Sequence, residues 1–149
     1  MGNRSKPHDR IPELIKPDEQ RSRIMRAVRS KDTRPELIVR RWLHSQGYRY
    51  RLHRKDLPGT PDIVFPARKK VIFVHGCFWH GHDCARGDRQ PKTNSEYWSR
   101  KIERNVARDL EHREALAGLG WKVLTVWECH TRLERRDELV DRLHNFIQS

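Results

Sequence analysis

The chain has 149 residues, the size of one ordinary domain, and enough length to bury a core without disulfides. Hydrophobic and charged residues each make up 35%, and 32 Lys and Arg against 20 Asp and Glu leave a formal net charge of +12, a field that draws polyanions. No apolar run approaches the ~20 residues that span a bilayer, and the opening MGNRSKPHDRIPELIK lacks the apolar stretch of a secretory signal. The expectation is a cytoplasmic protein that meets nucleic acid and no membrane. Its charge is uneven: residues 1–60 carry sixteen basic and seven acidic side chains (+9), so the front half should contact most phosphates.

Residues 1–19 hold Pro7, Pro12 and Pro17 among polar and charged residues, which is the composition of a flexible tail. A single domain is expected over 20–149. Residues 18–30, DEQRSRIMRAVRS, lack Gly and Pro and predict a short basic helix with Ile24, Met25 and Val28 apolar. Thr33 then stands three before Glu36, the spacing of a capping box, and opens a second helix that stops at Gly47. Tyr48, Tyr50 and Leu52 alternate with Arg49 and Arg51, the period of a half-exposed strand. After the turn LPGTP, the runs DIVF and VIFV predict adjacent central strands, the second more buried. Residues 75–94 show no period. Ser95 is a candidate cap for a long helix in which Trp98, Ile102, Val106 and Leu110 form an apolar stripe at four-residue steps. Gly118 and Gly120 end it; WKVLTVW predicts a fourth strand; and a closing amphipathic helix turns Leu139, Leu143 and Phe146 inward. The order helix, helix, three strands, helix, strand, helix predicts a single α/β or α+β domain with a small mixed sheet flanked by helices.

The densest chemistry is HGCFWHGHDC at 75–84, directly after a buried strand. Cysteines grouped with histidines in a cytosolic chain favour metal binding over disulfides. Cys129 follows a strand end, where a parallel neighbour would bring it near Cys77 and Cys84. Zn²⁺ takes four such ligands in a closed tetrahedron when its role is structural. Three cysteines and one histidine satisfy that, with His80 and His82 as rivals for the fourth place; the plainer alternative is ordinary buried thiols and surface histidines.

Asp62 opens a strand whose neighbour ends in IFVHG, and nucleases that use Mg²⁺ place an aspartate and further ligands in such a pair. Its plainer reading is a turn-capping aspartate after Pro61. Glu36 is explained by the capping box alone. A free imidazole titrates near neutrality, so His75 and His80 are candidates to accept a proton or touch a phosphate. Phe78 and Trp79 are adjacent aromatics on a loop braced by the cysteines, where they could stack between bases or pack back onto the core; Trp98 belongs to the helix stripe.

The segments MRAVRSKDTRPE, LPGTPDIVF, VIFVHGCFWHGHDC, a Glu-Tyr-Trp opening a long helix, and GWKVLTVWEC together resemble the very-short-patch repair endonucleases, the strand-nicking enzymes of T:G mismatch repair. The resemblance covers roughly residues 20–148. It implies a restriction-endonuclease-like fold and a Mg²⁺-dependent cut 5′ of the mismatched thymine, in repair of deaminated 5-methylcytosine. Asp62 then matches the metal-binding aspartate and the Val74 carbonyl the second protein ligand. His80 matches the general base, His75 a histidine assisting phosphate chemistry, and Glu36 an acid reaching the metals through water. Cys77, His82, Cys84 and Cys129 match a structural Zn²⁺ set. Phe78, Trp79 and Trp98 match aromatics that intercalate beside the mismatch, with Met25 entering from the other groove.

Some members have threonine where this chain has Val74, which removes any side-chain role there. The wider superfamily carries an acid and a lysine where this chain reads Phe73-Val74-His75. A histidine replacing that lysine suggests a charge that depends on protonation, hence activity falling at alkaline pH. The implied partner is double-stranded DNA carrying a T:G mismatch, with mismatch-repair proteins and a DNA polymerase as candidate partners, a nucleoid-associated location and a monomeric state. The rival classes are a zinc-braced, non-catalytic DNA-binding module and a zinc hydrolase; a closed four-ligand site disfavours the latter.

Overall fold

The computed structural model describes residues 32–84 and 93–149. The tail, the helix expected over 18–30 and Met25 lie outside the described residues. Helix α1 (Arg34–Ser45) is followed by strands β1 (Arg51–Leu52), β2 (Ile63–Phe65) and β3 (Lys70–His75), helix α2 (Ser95–Gly118), strand β4 (Lys122–Trp127) and helix α3 (Arg136–Gln148). Short 3₁₀ turns sit at Pro66–Arg68, Glu128–Thr131 and Leu133–Arg135. The sheet order is β1-β2-β3-β4, antiparallel except for the parallel β3/β4 pair. The described elements thus match the predicted order, with β1 trimmed to two residues.

Residues on β2 and β3 are buried on both faces because the sheet is covered on both sides. Ile63, Phe65 and Ile72 face Val39 and Leu43 of α1 and Leu139, Leu143 and Ile147 of α3. Val64, Val71 and Phe73 face the other way, against Leu116 of α2. This is a three-layer α/β/α arrangement. Each such fully buried aliphatic side chain contributes about 1.5–3 kcal/mol of transfer free energy. On α3 the third inward position is Ile147, one residue after the expected Phe146, because 139, 143 and 147 keep one face while Phe146 packs half-buried at its edge.

Two further expectations are corrected. Asn94, in the left-handed region at φ +57, is the N-cap of α2, so Ser95 lies inside the helix rather than capping it. The four-step stripe also runs off the core: Val106 and Leu110 are 45% and 47% exposed. Four residues advance a helix by one turn plus about 40°, so the stripe rotates out of the sheet. The side that faces inward carries Trp98, Asn105 and Leu116, buried, with Asp109 and His112 half-buried between them. Its middle is polar, and that part of the helix lies over a cleft. Among the described residues no helix is long and apolar enough to cross a membrane.

Candidate active site and metal centre

The antiparallel register pairs Ile63 with Ile72, which brings Asp62 beside the last residues of β3. The Val74 N–H donates to Asp62 Oδ2 at 2.7 Å. Asp62, Val74 and His75 therefore meet at one end of the sheet, in a cleft of about 720 Å³ closed on one side by the start of α1 and on the other by α2.

Glu36 reaches the same cleft from the first turn of α1. Thr33 caps that helix by accepting from the Glu36 N–H at 3.4 Å, as the spacing predicts. The returning arm differs: Glu36 Oε1 accepts from the Asp32 N–H at 3.2 Å, one residue earlier than in a capping box. Its other oxygen accepts from Arg40 Nη1 at 3.3 Å and His53 Nε2 at 2.7 Å, and the side chain is 2% exposed. A solvated cap would not be buried under three donors, so Glu36 belongs to the cleft. Burial pushes the Asp62 carboxyl up to about 6; the Val74 N–H opposes this and the nearby charge of Glu36 adds to it. Glu36 and Asp62 face one cleft on either side of the His53 ring, 2.7 and 3.9 Å from its Nε2, and carboxylate oxygens are the donors a hard divalent cation takes.

His75 and His80 stack with ring centroids 3.8 Å apart and planes within 5°. His80 Nδ1 lies 2.6 Å from Asp109 Oδ2. A carboxylate only accepts, so Nδ1 carries a proton, and whenever the ring is neutral Nε2 is its acceptor. His75 Nδ1 is 3.9 Å from the same oxygen, and its buried nitrogen has no hydrogen-bond partner among the described residues. Burial, with His80 beside it, pushes His75 down to about 3. Burial thus favours the neutral ring at His75, against the protonation-dependent charge expected at this position.

Cys77, His82, Cys84 and Cys129 offer one ligand atom each, all within 4.8 Å of one another. The parallel β3/β4 pair is what brings Cys129 to the loop after β3. His82 Nδ1 is 3.6 Å from Cys129 Sγ, and its ring stacks on Trp127 at 4.3 Å. Of the two rival histidines, His82 joins the cysteines and His80 turns to Asp109. A tetrahedral zinc–sulfur shell has ligand separations of roughly 3.8 Å from its ~2.3 Å bonds, so this quartet could hold such an ion. Burial raises the Cys77 thiol to about 12. Gly81 lets the loop lie on α2: at φ +64 it tolerates a conformation other residues resist, and a Cβ there would stand 2.9 Å from Val106 Cγ2.

Phe78 is half-buried, whereas Trp79 and Trp98 are each 3% exposed and meet edge to face at 5.5 Å, with Tyr97 against them. Asn105 Nδ2 ties the Trp79 carbonyl to α2 at 2.9 Å. Of the two adjacent aromatics, Trp79 packs back.

Sequence reasoning missed Asp109 and His53. Asp109 was legible in principle, since Trp98, Asn105, Asp109, His112 and Leu116 share a face once the 3.6-residue period is followed in place of four-residue steps. His53 had no signal: strand alternation groups it with the exposed Arg49 and Arg51.

The fold and cleft define a small, basic α/β protein whose cleft gathers two carboxylates and a carboxylate-backed histidine, with a net charge that suits a polyanion. The chain belongs to the DNA mismatch endonuclease Vsr family, whose profile matches residues 15–86. It is 58% identical over 129 residues to the type II nicking enzyme V.XorIIP of Xanthomonas oryzae pv. oryzae, covering 87% of this chain and 93% of that protein. It is 45% identical to the type II nicking enzyme V.NmeAIP of Neisseria meningitidis (87% and 90% covered) and 42% identical to the DNA mismatch endonuclease Vsr of Escherichia coli (85% and 83% covered).

Proposed function

We propose that this protein is a restriction-endonuclease-like DNA endonuclease that nicks one strand 5′ of the thymine in a T:G mismatch, using Mg²⁺, in very-short-patch repair of deaminated 5-methylcytosine. The observation that carries the reading is Asp62: a half-buried carboxylate oriented by the Val74 N–H and set, with Glu36, in the cleft that also holds His80 and Asp109.

Asp62 and the Val74 carbonyl would hold the cation, with Glu36 reaching it through water. Bound there, the cation supplies charge neutralisation at the phosphate and at the departing 3′-oxygen. His80, with Nδ1–H fixed on Asp109, takes a proton from the attacking water through Nε2. His75, neutral and stacked on it, keeps that ring from turning. Arg108 and Arg113 on α2 and Lys55 line the same cleft and suit contact with the DNA backbone. Cys77, His82, Cys84 and Cys129 hold a structural Zn²⁺ that braces the loop carrying Phe78 and Trp79. Phe78 is poised to enter the base stack first; Trp79 and Trp98 must separate from each other to follow, and Met25 enters from the opposite groove.

The test is incubation of the zinc-loaded protein with end-labelled duplexes carrying T:G, T:A or C:G at one position, with and without Mg²⁺. Nicking confined to T:G and dependent on Mg²⁺ is expected. Binding without cleavage in every flanking sequence would instead establish a zinc-braced binding module.

A further inference from the structure

His53 follows β1 directly and stands between the two carboxylates. Its backbone N–H donates to the Asp62 carbonyl at 3.1 Å, extending the β1/β2 ladder to the residue that matters. Its ring Nε2 donates to Glu36 Oε2 at 2.7 Å and lies 3.9 Å from Asp62 Oδ1. His53 is also strained: its φ of +48 lies in the left-handed region, which a non-glycine residue adopts at an energetic cost. That rotation breaks the strand alternation and takes the ring from the side of Arg49 and Arg51 to the carboxylates. The backbone on the far side of the loop is distorted in the same way at Thr60, φ +47, two residues before Asp62.

We propose that His53 is a positioning residue for the divalent-cation site, holding Glu36 Oε2 in place while its backbone fixes Asp62, so that the carboxylate pair is set at one separation before a cation arrives. The proposal rests on the cation reading above. Three features support it together: one residue contacts both acids, it does so through ring and backbone at once, and it keeps a strained backbone to do so. The Val74 N–H orients Asp62 through Oδ2, while Oδ1 is the oxygen 3.9 Å from the His53 ring. Groups that orient metal-binding carboxylates typically govern metal affinity by about 10–100-fold.

The test uses zinc-loaded protein without DNA and reads Mn²⁺ binding by electron paramagnetic resonance. It compares the parent chain, Asp62→Asn, His53→Asn, His53→Gln and His53→Gly, with thermal midpoints alongside. Asparagine tolerates positive φ but is too short to reach Glu36, glutamine extends an amide donor, and glycine relieves the strain while removing the ring. His53→Asn and His53→Gly are expected to weaken Mn²⁺ binding about tenfold or more, with His53→Gln restoring most of it and the midpoint of His53→Gly no lower than the parent's. Parent-like Mn²⁺ binding in His53→Asn and His53→Gly, with binding lost in Asp62→Asn, overturns the proposal and leaves the cation reading standing. Parent-like binding in Asp62→Asn overturns both.

Discussion

Asp109 reaches from the middle of a 24-residue helix to His80 on the loop after β3, and its Oδ2 meets the imidazole Nδ1 at 2.6 Å. The contact fixes the ring's tautomer and leaves Nε2 as its proton acceptor. Asp109→Asn keeps the size of the side chain but can present an amide nitrogen to Nδ1, which favours the wrong tautomer. The single-turnover nicking rate is expected to fall on the order of 10²-fold or more. Duplex binding by fluorescence anisotropy should change less than twofold, and an unchanged rate would remove Asp109 from the mechanism.

Asp62→Asn should abolish nicking, leave mismatch binding largely intact and stabilise the protein. An aspartate raised to about 6 in the fold, against about 3.8 unfolded, binds its proton more tightly when folded. Stability therefore declines as pH rises from about 4 to 6, by roughly 3 kcal/mol at 1.36 kcal/mol per unit. Asparagine carries no charge and escapes that loss. Urea denaturation at pH 8 without Mg²⁺ should show a higher midpoint for Asp62→Asn than for the parent chain; a lower midpoint contradicts the assignment.

His75 acts in the opposite direction. Held near 3 in the fold against about 6.5 unfolded, it must become neutral to stay buried. Its contribution is fully present above pH 6.5 and is lost as pH falls from there toward 3, on the order of 5 kcal/mol. His75→Phe should make thermal midpoints less sensitive to acid across that interval. In the parent chain, nicking should show no alkaline decline traceable to residue 75, because that ring is already neutral at pH 7.

Removal of the metal quartet should unfold the loop rather than the chemistry alone. Cys84→Ala leaves three ligands and exposes a set that includes two buried thiols. The protein should contain one zinc per chain by plasma emission spectroscopy, and Cys84→Ala should contain little. Because structural zinc contributes folding free energy, mismatch binding and nicking should fall together. Full binding by a zinc-free Cys84→Ala protein would show that the quartet braces nothing.

The parts of this architecture legible in the sequence are those in which one local pattern decides the outcome. Ile63–Phe65 and Lys70–His75 are short apolar runs around a turn, and their pairing follows. The parallel approach of β4 to β3 was enough to predict Cys129 beside Cys77. What the pattern hid depends on rotation and depth. A four-residue stripe on α2 pointed at Val106 and Leu110 and away from Asp109, a difference of roughly 60–100° about the helix axis. Glu36 sits where a cap would sit, and only its burial beneath Asp32, Arg40 and His53 separates the two roles. Trp98 is buried as its place on the helix stripe predicts, whereas the environment of His75 and the burial of Trp79 depend on Asp109 and Asn105, distant in the chain. His53 is invisible because its role begins with a broken alternation.

The central claim is strand-specific cleavage at a T:G mismatch. Each strand of a T:G duplex would be labelled in turn, cut with zinc-loaded protein and Mg²⁺, and the product mapped at single-nucleotide resolution on a denaturing gel. One cut, in the thymine strand and immediately 5′ of the mismatched thymine, is the predicted result. Equal cutting of both strands, or of T:A duplex at the same rate, would contradict it.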